Sequence, residues 1–280
     1  MIPIRDSVPT SSRPYATIVL ILLNVAIFLV ERTGNMQQMV WKYGYVPAEL
    51  ASSRDEFAEK LQAHPPMRPV VDRFGRPVAD FFGRVLAQED TDAIEAAAAL
   101  PAWLNIFTCM FLHGGWMHLI GNMLYLWIFG NNIEDRLGSA LYPVFYLGTG
   151  LVGNLAHTIF DASLVPLVGA SGAISGLMGA YILLFPRARI TAIVPIGWYP
   201  LTVNLPAWIF LGIYFVIQNL YPAYFTAAHL SGQQSSVAYL AHIGGFVSGM
   251  ALIFIFPHRR RPPAAVPVFD PDKEDADVII

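Results

Sequence analysis

The sequence predicts an all-α, polytopic membrane protein, and its hydropathy and charge distribution are the observations behind that prediction. Of the 280 residues, 55% are hydrophobic and 13% are charged, whereas a soluble domain carries about 25% charged residues. Residues 101–257 contain only six Asp, Glu, Lys or Arg side chains, too few to cover the surface of a soluble fold. This pattern excludes an ordinary soluble enzyme, a disordered chain and a basic nucleic-acid-binding protein.

Six apolar segments approach the roughly 20 residues that a helix needs to cross a bilayer. Arg5 and Arg13 precede the first segment, but no small-x-small cleavage site follows it, so we interpret it as an uncleaved helix and not as a signal peptide. The sequence therefore predicts six transmembrane helices, which cover about residues 15–30, 117–133, 141–160, 169–185, 206–221 and 237–256.

The orientation of these helices follows from the basic residues in the short loops. If the six spans alternate, the Lys and Arg residues of the short loops all fall on one side, and the opposite loops, 161–168 and 222–236, contain none. Basic loops face the cytoplasm. We therefore expect both termini to be cytoplasmic, and the short charged tails suit a prokaryotic inner membrane.

The chain divides accordingly into five predicted parts. A long, charged segment lies between the first two spans, and loops of this length escape the positive-inside rule. We expect it to form an outer-face subdomain that lies on the membrane without a core of its own. The predicted division is a cytoplasmic N-terminus 1–14, a first helix 15–30, an extracytoplasmic loop 31–101, a five-helix core 102–257 and a flexible cytoplasmic tail 258–280.

Polar side chains inside the predicted spans have a high free-energy cost of insertion into lipid, so they indicate candidate functional positions. His118, Ser171 and His242 each lie 16 residues before the residue that marks the inner end of their span. At the rise of an α-helix this distance is about 24 Å, so the three side chains share one depth below the outer surface. Asn122 follows His118 by four residues and therefore lies on the same helix face.

Small residues predict that the fourth and sixth spans touch. Ser171, Ser175 and Gly179 recur every four residues in the fourth span, as do Ala241, Gly245 and Gly249 in the sixth. Such faces let helix backbones approach closely in lipid. Close pairing would bring the Ser171 hydroxyl within reach of His242, although ordinary helix packing alone accounts for most small-residue patterns.

Four motifs resemble those of the rhomboid family of intramembrane serine proteases. They occur in the order of the family over residues 101–257, within the same six-span arrangement. The motifs are His113-Gly-Gly-Trp-Met-His118-Leu-Ile-Gly-Asn122, Glu134-Asp-Arg-Leu-Gly138, Gly169-Ala-Ser171-Gly172 and Ala241-His242-Ile-Gly-Gly245.

This resemblance implies a rhomboid-like bundle and an endopeptidase that cleaves transmembrane protein substrates in the bilayer. It implies a Ser–His dyad, with Ser171 as nucleophile and His242 as general base, and it adds the side chains of His118 and Asn122 to an oxyanion hole completed by the Ser171 backbone N–H. A serine hydroxyl is a weak nucleophile until a neighbouring base takes its proton. Gly169, Gly172 and His113 match supporting positions, and we expect neither a metal nor a cofactor.

Two positions depart from the pattern of the family. Many members have an aromatic residue four positions after the nucleophile, where it packs on the catalytic histidine, but this chain has Ser175. The position five before the histidine is often glycine and here is Val237. Ser175 therefore predicts that His242 is held less firmly than in other members, and Val237 predicts altered packing of spans four to six at their outer ends.

Three alternatives stay open at the level of sequence. A catalytically inactive rhomboid-like protein would bind membrane clients without cleaving them. A small transporter would show broken spans, repeats and ionisable residues along a path, whereas the polar residues here form one layer. A metal site built from His113, His118 and His242 lacks a carboxylate and any His-Glu-x-x-His pattern.

Overall fold

The fold is a bundle of helices with two small sheets. A computed structural model describes residues 1–71, 77, 86–97, 99–196, 199–228 and 238–259. The helices of the described residues are α1 (Tyr15–Thr33), α2 (Met36–Tyr43), α3 (Pro47–Ala51), α4 (Arg54–Ala63), α5 (Thr91–Ala97), α6 (Ala102–Thr108), α7 (Trp116–Tyr125), α8 (Asn131–Leu137), α9 (Tyr142–Phe160), α10 (Ser171–Leu184), α11 (Ala207–Phe215), α12 (Tyr221–Ala228) and α13 (Tyr239–Leu252).

Two of the predicted spans contain a π-helical turn. Leu126–Gly130 joins α7 to α8, and Val216–Leu220 joins α11 to α12. A π-helical turn widens the helix by one residue and is often found at functional sites. Each of these segments therefore continues as one helix in which the side chains after the turn point in a changed direction.

Among the described residues, α1 is the helix that is long and apolar enough by itself to cross a membrane. A second candidate arises only if α5 and the segment 102–111 are counted together across a bend of 105°. The helices α10 and α13, in the fourth and sixth predicted spans, are apolar but have 14 residues each. At 1.5 Å per residue, 14 residues reach about 21 Å, less than the hydrocarbon thickness.

Helix α10 lies at the centre of the bundle. Every residue from Gly172 to Tyr181 is buried, and α9 and α13 pack against it. Helix α1, in contrast, exposes large apolar side chains on its outer face. Tyr15, Val19 and Leu22 are each more than 60% exposed, which suits a surface that faces lipid and not water.

Backbone contact joins α10 to α13, as the small residues predict. A Cβ atom added to Gly249 would overlap the carbonyl group of Gly176, and one added to Gly245 would overlap that of Gly172. Glycine is therefore the residue that fits where these two backbones meet. The predicted contact between the fourth and sixth spans is confirmed.

A three-stranded antiparallel sheet lies at one end of the bundle and was not predicted. Its strands are β1 (Ile2–Asp6), β4 (Arg189–Ile196) and β5 (Tyr199–Pro206), in the order β1-β4-β5. The register pairs Ile2 with Ile193 and Arg189 with Pro206. The sheet joins the N-terminus to the connection between α10 and α11, two segments that the charge pattern assigns to the same side.

The N-terminal segment is tied to the bundle by three carboxylates. Glu134 accepts hydrogen bonds from the Ala16 and Thr17 backbone N–H groups at 2.9 and 2.8 Å, which caps the first turn of α1. Asp135 accepts from Ser11 and Ser12. Asp6 accepts from Tyr181 and Asn132, and burial raises the pKa of the Asp6 carboxyl. The motif that begins at Glu134 therefore supports the fold.

The segment between α1 and α6 has a small apolar cluster, contrary to the expectation that it lacks one. The buried members of this cluster are Val46, Ala48, Phe57, Leu61 and Ala97. A short hairpin pairs β2 (Met67–Pro69) with β3 (Ala87–Glu89). The cluster arises because the apolar residues of short helices α3, α4 and α5 face one another, which no single short helix reveals in its sequence. Parts of this segment, residues 72–76, 78–85 and 98, lie outside the described residues.

Candidate active site

Ser171 is the first residue of α10, and the loop before it is held in a fixed shape. The Gly169 N–H donates to the Cys109 carbonyl at 2.8 Å, and Leu167 and Tyr45 exchange two backbone hydrogen bonds. Gly169 has a φ of +121°, which favours glycine, and a Cβ atom there would press on the His118 ring. The loop therefore delivers Ser171 to a helix N-terminus, where backbone N–H groups are unpaired.

His242 lies in the first turn of α13 and forms a hydrogen bond with Ser171. Its Nε2 atom is 2.7 Å from the Ser171 Oγ atom. The closeness follows from the glycine contacts between α10 and α13, because bulkier residues would hold the helices too far apart. The arrangement places a base within reach of a hydroxyl proton, as nucleophilic catalysis requires.

Asn219 contacts His242 on its other side, a contact that the sequence does not predict. The His242 Nδ1 atom lies 2.9 Å from the Asn219 Oδ1 atom, and Asn219 is 1% exposed. Asn219 belongs to the π-helical turn of the fifth predicted span. The signal available in sequence was a polar residue near the end of an apolar span, which does not show its direction.

A cavity of about 470 Å³ contains Ser171 and His242 in its wall. His118 and Asn122 line the same cavity, so the structure brings these four predicted residues together. The Asn122 Nδ2 atom is buried and donates to no acceptor within the described part of the chain. A buried amide donor that faces such a cavity can bind a negatively charged oxygen.

His113 lies behind His118 and not in the wall of the cavity. Its side chain is fully buried, and its ring contacts the His118 ring edge to face at 5.2 Å. The His113 backbone N–H donates to the Glu31 carboxylate at 3.2 Å. These contacts place His113 where it supports His118.

Four other residues weighed in the sequence have different positions. Ser175 is fully buried one turn below Ser171. His157 lines the cavity, 3.6 Å from the Asp161 carboxylate. Val237 and His229, with most of the loop 222–236, lie outside the described residues.

The histidines do not form the alternative metal site. His242 forms hydrogen bonds with Ser171 and Asn219, while the His113 and His118 rings meet edge to face. Among the residues that the structure describes, no three His, Cys, Asp or Glu side chains cluster in a way that could hold a metal ion.

This combination of a bundle of apolar helices and a half-buried Ser–His pair is typical of a membrane-embedded hydrolase. The rhomboid domain model matches residues 101–259, which is more than half of the chain. The chain therefore belongs to the rhomboid family, and it is a polytopic, all-α integral membrane protein. Members of this family are generally intramembrane serine proteases that act on transmembrane substrates, although some members are inactive.

Several relatives are similar to this chain over about half of its length. Rhomboid-like protein 11, chloroplastic, of Arabidopsis thaliana is 30% identical over 55% of this chain and 53% of its own length. Rhomboid protease GluP of Bacillus subtilis is 32% identical over 54% of this chain and 26% of its own length. Rhomboid protein 1, mitochondrial, of Saccharomyces cerevisiae is 30% identical over 52% of this chain and 40% of its own length. The chain thus spans about half of these relatives or less.

Proposed function

We propose that this protein is an intramembrane serine endopeptidase that cleaves transmembrane segments of membrane proteins with Ser171 and His242. The observation that carries the proposal is the 2.7 Å hydrogen bond between His242 Nε2 and Ser171 Oγ inside a cavity of the bundle. The names of relatives such as Rhomboid protease GluP support proteolysis at the level of the family.

The proposed reaction proceeds through an acyl-enzyme. Ser171 Oγ attacks the scissile carbonyl carbon while His242 Nε2 takes the hydroxyl proton. His242 then gives this proton to the leaving amine as the C–N bond breaks. Water attacks the resulting ester, again with His242 as base, and releases the second fragment. The substrate must unwind locally, because a helix protects its own peptide bonds with hydrogen bonds.

The oxyanion of this reaction is proposed to bind three groups. The Ser171 backbone N–H lies at the start of α10, where the helix dipole favours negative charge. His118 and Asn122 supply side-chain donors from the facing wall of the cavity. Donors that are already oriented cost no reorganisation when the negative charge develops.

The arrangement in the membrane is also part of this proposal. We infer six spans, with 31–101 as an extracytoplasmic loop, 102–257 as the five-helix part of the catalytic core and both termini cytoplasmic. The pairing of β1 with β4 supports a common side for the N-terminus and the connection after α10. A prokaryotic inner membrane stays a prediction, because relatives named chloroplastic and mitochondrial place the family in organelles as well.

The test of the proposed function is cleavage of a single-span substrate in proteoliposomes. We expect the wild-type protein to cut the substrate within its apolar segment and Ser171→Ala to leave it intact. Ser52→Ala is a matched control, because the Ser52 hydroxyl accepts a hydrogen bond from the surface residue Lys60 and Ser52 is not among the described residues that line the cavity. Cleavage that survives Ser171→Ala would contradict the nucleophile. Binding of the substrate by a wild-type protein without cleavage would favour an inactive rhomboid, and solute movement without cleavage would favour a transporter.

Asn122→Ala is expected to lower turnover by about 100-fold, since removing one oxyanion donor typically costs that much or more. The protein should stay folded, because the Asn122 Nδ2 atom has no acceptor to lose among the described residues. Turnover of the proteoliposome substrate and the melting temperature measure the two effects. Unchanged turnover would remove Asn122 from the oxyanion hole.

A further inference from the structure

We infer that Asn219 is a positioning residue that holds His242 in the tautomer required of a general base. The inference rests on the proposed function, since it assigns the partner of the histidine in the same site. It replaces the expectation of an isolated dyad with a chain of three side chains, in which Asn219 contacts His242 and His242 contacts Ser171.

The hydrogen bonds of Asn219 determine which end of its amide faces the histidine. The Nδ2 atom lies 3.2 Å from the Tyr214 backbone carbonyl. A carbonyl oxygen accepts hydrogen bonds and cannot donate, so the group that faces it must be the amide NH₂. The Oδ1 atom of Asn219 consequently faces His242 Nδ1, at 2.9 Å.

The tautomer of His242 follows from that orientation. An amide oxygen only accepts, so Nδ1 must carry a proton and donate it. In a neutral imidazole the other nitrogen, Nε2, then has no hydrogen. A free Nε2 lone pair 2.7 Å from Ser171 Oγ accepts the hydroxyl proton, as a general base must. The opposite tautomer would present an N–H to Ser171 and could not take its proton.

The surrounding structure fixes Asn219 in this position. It lies within the π-helical turn Val216–Leu220, and its bond to Tyr214 spans five residues of the same helix. Next to this turn, the Phe215 ring stacks on the Phe246 ring of α13, with centroids 4.5 Å apart. Phe246 is one turn from His242, so the stacked rings hold the two helices in register.

Asn219 also compensates for the aromatic residue that the family usually has at the position of Ser175. The resemblance predicts a loosely held histidine, because the usual aromatic residue is absent there. The structure instead gives the imidazole hydrogen bonds at both nitrogens. A neutral amide fixes the ring without burying a charge, which a carboxylate would do at a high cost in solvation.

Kinetics with two substitutions and one control test this inference in proteoliposomes. Asn219→Leu keeps a side chain of similar size but accepts no hydrogen bond, and we expect kcat to fall about 10- to 100-fold with KM little changed. Asn24→Leu is the control, because Asn24 is a fully buried asparagine of α1 whose amide donates to the Leu20 carbonyl of its own helix. We expect Asn24→Leu to leave the pH dependence of cleavage unchanged.

The pH dependence distinguishes positioning from a structural role. Asn219→Asp places an anion beside Nδ1, which stabilises the protonated imidazole, so the acid limb of the kcat/KM profile should move to higher pH. Nitrogen NMR of labelled histidine should show His242 protonated on Nδ1 in the wild type, and a mixture of tautomers in Asn219→Leu.

Two results would overturn the inference while the proposed function stands. The first is a wild-type kcat in Asn219→Leu, and the second is an acid limb of the kcat/KM profile that does not shift in Asn219→Asp. Both results count once Ser171→Ala has been shown to abolish cleavage by the otherwise wild-type protein. If Asn219→Leu does not fold, the profile of Asn219→Asp decides alone. A wild-type protein that cleaves no transmembrane substrate would instead contradict the proposed function.

Discussion

Replacing His242 by alanine is expected to lower cleavage of a reconstituted transmembrane substrate by about ten-thousand-fold or more. Removal of the histidine of a serine protease has an effect of this size or larger, because the serine loses the base that takes its proton. His242 Nε2 is the group placed 2.7 Å from Ser171 Oγ. Single-turnover cleavage in proteoliposomes, with substrate saturating, measures the effect on the chemical step.

His64→Ala serves as the matched control for this substitution. His64 is an exposed residue at the end of α4, and it does not line the cavity. We expect it to cleave at the wild-type rate. Substantial activity in His242→Ala at unchanged stability would show that another group acts as the base, and His157, which lines the same cavity, would be the first to replace.

Gly249→Ala is expected to lower cleavage by at least about 100-fold, although Gly249 lies two turns from His242. The added methyl group would overlap the carbonyl of Gly176 and force α10 and α13 apart. A displacement of about 1 Å in a catalytic pair can cost about 100-fold in rate. We also expect a lower melting temperature, because backbone groups cannot move aside as flexible side chains can.

The control for this substitution is Gly148→Ala in α9. A Cβ atom at Gly148 meets none of the described atoms within 4 Å apart from the backbone of its own helix, and alanine favours a helix over glycine by up to about 1 kcal/mol. This variant should retain activity and melt at the same or a slightly higher temperature. Full activity in Gly249→Ala would contradict the close contact of α10 and α13 as the device that aligns Ser171 with His242.

Much of the candidate site could be predicted because lipid makes polar residues rare. Counting back from the charged ends of the spans placed Ser171, His242 and His118 at one depth, and the structure puts all three in the wall of one cavity. The contact of α10 with α13 could be predicted because small residues recur every four residues on both helices. In both cases the prediction depends on the regular rise and repeat of an α-helix, which the sequence spacing alone reveals.

Asn219 and the three-stranded sheet could not be predicted, because no periodic pattern on a regular helix marks them. The direction of Asn219 depends on the π-helical turn around it, and an ordinary α-helix would turn the same side chain elsewhere. Strands β4 and β5 lie between the apolar helices α10 and α11, so the hydropathy pattern does not distinguish their apolar residues from the spans or the loop between them. β1 pairs with a segment nearly 190 residues away in the chain, a distance that local pattern does not reveal.

The most direct test of the central claim is covalent capture of Ser171. We predict that a fluorophosphonate probe forms one adduct on the wild-type protein in liposomes, that mass spectrometry locates it on Ser171, and that labelling and substrate cleavage are lost in parallel as the adduct accumulates. Ser171→Ala should show no adduct, and His242→Ala should label far more slowly, because the hydroxyl has lost its base. Cleavage that continues at the full rate in protein completely labelled on Ser171, or an adduct found only on another residue, would contradict the account.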